Sequence, residues 1–229
     1  MDERPGPAYG TPNFEMIGRW LQIDSADDGP FWALNLMKYH AEARYDDGTT
    51  GVSGREADDA YAPLGPLAAV GAAVAFVADV VDQPLGAPGW DRIGIVRYPS
   101  RAAFFAMQQR DDFQAQHVHK EAGMEFTIVM SCLPVAHDVG APSEGSLVLV
   151  ADRGAGDLAA LSGVAEVAGF DVEGVIVGDD RTFERARVLR VADGAFDALV
   201  DAARVAEEVH VVVLNPTIDL LLPSIISPA

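Results

Sequence analysis

Short apolar runs alternate with amphipathic stretches along this chain, in an order that occurs twice. The first half predicts strand 31–39, helix 58–71, strand 74–81, strand 91–98, helix 101–121 and strand 126–132. The second predicts strand 146–152, helix 156–168, strand 171–178, strand 183–191, helix 193–206 and strand 209–214, with Phe196, Leu199, Val200 and Ala203 at the i, i+3, i+4, i+7 spacing of a helix face. The segments themselves also match. Trp90-Asp91-Arg92-Ile93-Gly94-Ile95-Val96-Arg97-Tyr98 aligns with Phe183-Glu184-Arg185-Ala186-Arg187-Val188-Leu189-Arg190-Val191, and the run Thr127 to Pro134 aligns with Val209 to Pro216.

Each copy reads βαββαβ, so the expected fold class is α+β, with two tandem ferredoxin-like units. Strands such as 93–96 and 209–214 are apolar on both faces. Two sheets packed face to face satisfy that pattern, which predicts an α/β barrel closed within one chain. The expected organisation is an N-terminal extension at 1–30, a first unit at 31–136, a linker near 137–144 rich in glycine, proline and small residues, a second unit at 145–216 and a tail at 217–229. The extension predicts a short helix opened by Thr11 and Pro12 that carries Phe14, Ile17 and Leu21 on one face.

Composition narrows the partners. The 229 residues are 49% hydrophobic and 22% charged, an ordinary globular balance, and 35 acidic against 16 basic residues leave a net charge of −19. Such a field repels nucleic acid and anionic membrane surfaces, so neither is expected as a partner. The uncharged stretch from Ala60 to Ala78 has the length of a membrane span, but Pro63, Gly65, Pro66 and Gly71 fit a short soluble helix and a following strand instead. With one cysteine, Cys132, and no signal-peptide pattern at the start, the expected location is cytoplasmic. The expected partner is a small-molecule ligand, and the barrel is expected to be complete in a monomer.

The run Trp90-Asp91-Arg92, then Ile95-Val96-Arg97-Tyr98-Pro99-Ser100-Arg101-Ala102-Ala103-Phe104 and Asp112-Phe113-Gln114-Ala115, resembles the domain of unknown function 1330 family of the dimeric α/β-barrel superfamily. Leu34 to Tyr39, Ser53 to Ala57 with Tyr61, and His119 to Glu125 are similar to its longer members. The resemblance covers about residues 31–134 and implies the fold. The wider superfamily includes cofactor-free monooxygenases, lactone isomerases, haem enzymes and ligand-binding domains, so it implies no single reaction.

The two copies differ in chemistry. Fifteen of eighteen aromatic residues and four of five histidines precede residue 141. The second copy also lacks eleven residues in its second helix and the polar loop 40–59, which makes the first copy the expected site. Asn35, mid-strand among apolar neighbours, needs hydrogen-bond partners and is expected to polarise a ligand carbonyl with Tyr39, while His119 moves a proton. Trp32, Trp90 and Phe113 are expected to shape the pocket, with Arg55, Tyr61 and His117 as further binding residues. His117 and His119 point about 200° apart on a helix, and His117 with Glu121 has no evident third ligand, so no metal site is expected. The reading that follows is a cofactor-independent isomerase, lyase, cyclase or oxygenase acting on a small apolar or aromatic carbonyl compound. A non-catalytic binding protein is the alternative, and a haem barrel with His117, His119 or His210 as axial ligand is the third.

Overall fold

The computed structural model describes residues 7–227. Its first element is Thr11–Pro12 (β1), a strand fragment rather than a helix cap. The helix that follows, Phe14–Trp20 (α1), is capped by Asn13, whose side chain accepts from the Met16 amide at 3.0 Å. It buries Met16 and Trp20 and leaves Phe14 and Leu21 exposed, a rotation away from the expected face. The reason is β1, whose pairing with Val177 and Gly178 sets the direction in which the chain enters the helix.

The first half continues with Phe31–Tyr39 (β2), Gly54–Ala60 (α2), Leu64–Ala69 (α3), Ala73–Leu85 (β3), Arg92–Tyr98 (β4), Arg101–Gln108 (α4), Asp111–Gly123 (α5) and Met124–His137 (β5). The expected helix 58–71 is therefore two helices. Ser53 and Glu56 form a reciprocal capping box that starts α2 early, and Pro63 forces the break before α3. The expected helix 101–121 also divides, because Arg110 takes an extended conformation and chelates Asp112 through two bonds of 2.8 Å. Asp111 and Asp112 then lie at the positive N-terminus of α5.

In the second half come Ser146–Arg153 (β6), Val164–Gly178 (β7), Arg185–Val191 (β8), Phe196–Ala203 (α6), Glu208–Asp219 (β9) and Leu221–Ile226 (α7). Where a helix over 156–168 was expected there is one 3-10 turn, Leu158–Ala160. Gly156 and Gly163 both adopt positive φ and bracket that short turn, and the chain enters β7 at Val164.

Eight strands close a barrel in the order β7-β5-β2-β4-β3-β9-β6-β8, with β8 returning to β7, and every pairing is antiparallel. Among the described residues the architecture is mixed α+β, with this barrel and seven helices. Within each half the strand order is the same, β5-β2-β4-β3 and β9-β6-β8-β7, and the pairs β3–β9 and β5–β7 join the halves. No helix among the described residues is long and apolar enough to cross a membrane.

Alternation along the strands sends Trp32, Leu34 and Leu36 of β2, with Ile95, Met130, Leu149 and Val212 from other strands, into the barrel interior. This is a filled core in which each fully buried large side chain contributes about 1.5–3 kcal/mol. The segment expected as a tail begins within β9. It extends β9 and forms α7, whose Leu221 joins that core while Ser224 accepts from the Trp32 indole at 2.8 Å, plugging one end. At the other end Trp90 stacks on Phe126 and donates to His210 Nδ1 at 3.1 Å.

Candidate active site in a cavity outside the barrel

The odd-numbered residues of β2 face the opposite way, toward α2 to α5. Ala33 and Asn35, beside Gly94 of β4, make a floor of small side chains, and Tyr61, Tyr98, Phe104 and Phe113 stand as aromatic walls above it. The helices rest on those aromatic rings and cannot collapse onto the floor. A cavity of about 740 Å³ remains between sheet and helices. On the helix-facing side of the second half, Val148, Val150, Leu189 and Val211 pack with Leu199 and Val200 of α6 into an aliphatic cluster.

The polar corner of the cavity is built by α5 and the N-terminal segment. Lys120 projects its ammonium over the rings of Tyr9 and Tyr61, 5.4 and 5.6 Å from their centres, and donates to Asn35 Oδ1 at 3.5 Å. Burial holds this ammonium below the ordinary lysine value, against an opposing pull from Asp58 and Glu121. His117, one helical turn away, places Nε2 3.1 Å from the Tyr9 hydroxyl and 3.2 Å from Glu121 Oε1. The hydrogen bond from His117 holds the Glu121 carboxyl below its usual range, and desolvation raises the Tyr9 and Tyr61 hydroxyls.

A charged wall stands beside this corner. Arg92 Nη1 reaches Asp58 at 2.9 Å and Asp59 at 2.8 Å, while its Nε reaches Asp79 at 3.3 Å. The Tyr39 hydroxyl donates to Asp58 at 2.5 Å. Burial first, then the Asp58 charge, raises the Tyr39 hydroxyl. The network is positioned by a close crossing of α2 on α5, where a Cβ at Gly54 would overlap the carbonyls of His40 and Gly123.

Of the residues expected from sequence, Asn35, Tyr61, Phe113 and His117 line the cavity. Asn35 takes a different part from the one expected. Its Nδ2 donates to the Ala33 carbonyl at 3.0 Å, so the amide oxygen is what meets the polar corner, and that oxygen accepts from Lys120. Tyr39 reaches the site only through Asp58, and Arg55 is engaged by Asp59 at 3.3 Å and Asp79 at 2.9 Å. Trp32 projects from the opposite face of β2 into the barrel interior, and Trp90, in the connection before β4, packs into the same core at the barrel's end. His119 stands on the far side of α5 from His117, where its Nδ1 bonds the Tyr45 hydroxyl at 2.8 Å.

Lys120 is the residue that sequence reasoning missed. The signal was available: the chain holds fourteen arginines and two lysines, Lys38 and Lys120. Arginine serves the buried ion pairs of Arg92, Arg101 and Arg187, so a lysine here is a departure from the chain's habit.

No group of three or more metal-ligating side chains occurs among the described residues. Nor do the three histidines suit a haem iron. His210 is fully buried with Nδ1 bonded to Trp90 and Nε2 3.3 Å from Arg181, His119 faces Tyr45, and His117 Nε2 is held between Tyr9 and Glu121. Cys132 is buried in the barrel core, where desolvation pushes its thiol up and away from reactivity.

No family model and no curated protein matches this chain. Among solved structures, it is similar to the methylated RPA0582 protein at 26% identity, over 60% of this chain and 99% of that one, with a TM-score of 0.50. A second structure of RPA0582, a protein of unknown function from Rhodopseudomonas palustris, matches at 26% identity over 56% and 98% of the two chains, with a TM-score of 0.49. A mutant chlorite dismutase from Candidatus Nitrospira defluvii matches at 10% identity over 87% and 94%, with a TM-score of 0.43. The RPA0582 likeness concerns fold and brings no activity to this chain.

Proposed function

We propose that this protein binds a small apolar or aromatic carbonyl compound in the cavity between its first-half sheet and helices, and acts on it without a prosthetic group. The observation that carries this reading is a largely apolar cavity with one polar corner, where a desolvated lysine, an amide oxygen and a Tyr9–His117–Glu121 chain converge. The apolar walls take the hydrocarbon part of the ligand, which the charged wall would reject. The polar corner orients the carbonyl toward Lys120, and the Tyr9 chain supplies or accepts protons. Isomerisation, lyase and cyclisation reactions through an enol-type intermediate suit such an arrangement.

The matched strand order of the two halves supports reading the barrel as two tandem ferredoxin-like units, the first site-bearing and the second diverged. The resemblance of residues 31–134 to the domain of unknown function 1330 family agrees with that reading. A monomer is the proposed working form, since both halves of the barrel belong to one chain.

Acetophenone is a suitable probe. Native mass spectrometry is expected to show a one-to-one complex, lost in Ala33→Phe, which fills the floor, and weakened in the milder Gly94→Val. A complex retained by folded Ala33→Phe would place binding elsewhere. Exchange of the acetophenone methyl protons in deuterated water distinguishes an enzyme, which accelerates it, from a carrier, which does not.

A further inference from the structure

We propose that Lys120 is a nucleophile whose amine forms an imine with the carbonyl carbon of the compound held in the cavity. The inference rests on the carbonyl reading above and deepens it by naming the covalent step. Three observations support it. The Lys120 side chain ends between two aromatic rings inside an apolar cavity, with the neutral amide oxygen of Asn35 as its hydrogen-bond acceptor. It makes no ion pair with a carboxylate among the described residues, whereas Lys38, the other lysine of the chain, is locked to Asp91 at 3.2 Å. Desolvation also favours the free amine over the ammonium. An arginine could recognise a carboxylate here more strongly, but it could not lose its proton and attack.

The step balances without a redox partner. The amine lone pair forms a C–N bond to the carbonyl carbon, and one proton passes from nitrogen to the carbonyl oxygen to give a carbinolamine. The C–O bond then breaks, the oxygen leaves as water with a second proton, and nitrogen loses its remaining proton as the imine forms. Amine and carbonyl become imine and water. The Tyr9 hydroxyl, bonded to His117 Nε2 beside Glu121, is the chain on this wall that can pass those protons. Once formed, the imine acidifies the adjacent C–H bonds, which serves the isomerase, lyase and cyclase reactions proposed above.

Reductive trapping tests the step on the full chain. Wild-type protein is incubated at neutral pH with benzaldehyde and sodium cyanoborohydride, and benzylated residues are located by peptide mass mapping. Lys120 is expected to label faster than Lys38, since desolvation favours its free amine in the cavity while Lys38 is held by Asp91. Lys38→Arg should leave that labelling intact. Lys120→Arg should abolish it. Equal labelling of both lysines overturns the nucleophile. So does benzaldehyde binding without an adduct, although the carbonyl reading then stands. Absence of both adduct and complex overturns the two together.

Discussion

Replacing Arg92 with methionine is expected to cost about 3–5 kcal/mol of stability, because it removes one partner of a buried charge pair and leaves the other in place. Arg92 and Asp58 are about nine-tenths buried, and the guanidinium answers Asp58, Asp59 and Asp79 together. Without it, Asp58 retains only the Tyr39 hydroxyl and faces an apolar cavity beside it. Most of the cost is the stranded carboxylate rather than a lost attraction. The double variant Arg92→Met with Asp58→Asn should therefore recover a substantial part of it. Urea denaturation of the two variants and wild type gives the comparison. A loss under about 1 kcal/mol for Arg92→Met would show that the network behaves like a solvated surface pair.

The second large effect is expected at His210, in the acid range. Desolvation, and then the neighbouring Arg181 charge, lower this histidine to about 4, against a partial opposing pull from Asp179. The unfolded chain binds its proton near the ordinary value of about 6.5. The folded state therefore carries the neutral ring while the unfolded state protonates first. The stabilisation is fully present above about pH 6.5, falls as the pH is lowered toward 4, and changes no further once the folded imidazole is itself protonated, a total of about 3 kcal/mol. Geometry explains why the ring cannot move to water. Trp90 donates to its Nδ1, and the backbone of Gly86, at φ +96, lies so close that a Cβ there would overlap the ring. Subtracting the pH–stability profile of His210→Gln from that of wild type isolates this contribution from carboxylates such as Asp179, which lose theirs at lower pH. A difference profile flat between pH 4 and 6.5 would contradict the assignment.

The strands were legible because their apolar runs exceed what one buried face requires. Phe31–Tyr39 has the limits expected from its sequence, and β4 starts at Arg92, one residue after the expected start. Helices were read less well where punctuation was misjudged. Gly156 and Gly163 bracket a single turn, and the Ser53–Glu56 capping box marks a start that the apolar pattern alone places four residues late. The Gln109–Arg110 break has neither glycine nor proline to announce it, and depends on the extended conformation of Arg110.

The candidate site was legible in its location and less so in its chemistry. Strand parity places Asn35 with Ala33 and Met37, and the aromatic skew points to the same half of the chain. Which sheet face meets the helices depends on how the barrel closes, so Trp32 and Trp90 could not be separated from the cavity by sequence alone. Lys120 was hidden by its setting. A lysine in the last turn of a polar helix reads as solvated, and only the packing of Tyr9 and Tyr61 around it makes it otherwise.

The ligand is expected to occupy the space between the first-half sheet and its helices, outside the barrel. The most direct measurement is the bromine anomalous signal from a crystal soaked in 4-bromobenzaldehyde. The expected result is a peak within the cavity walled by Tyr61 and Phe113, with the aldehyde end toward Lys120. A peak inside the barrel, or against the second-half helix α6, with the cavity empty, would show that the ligand binds elsewhere.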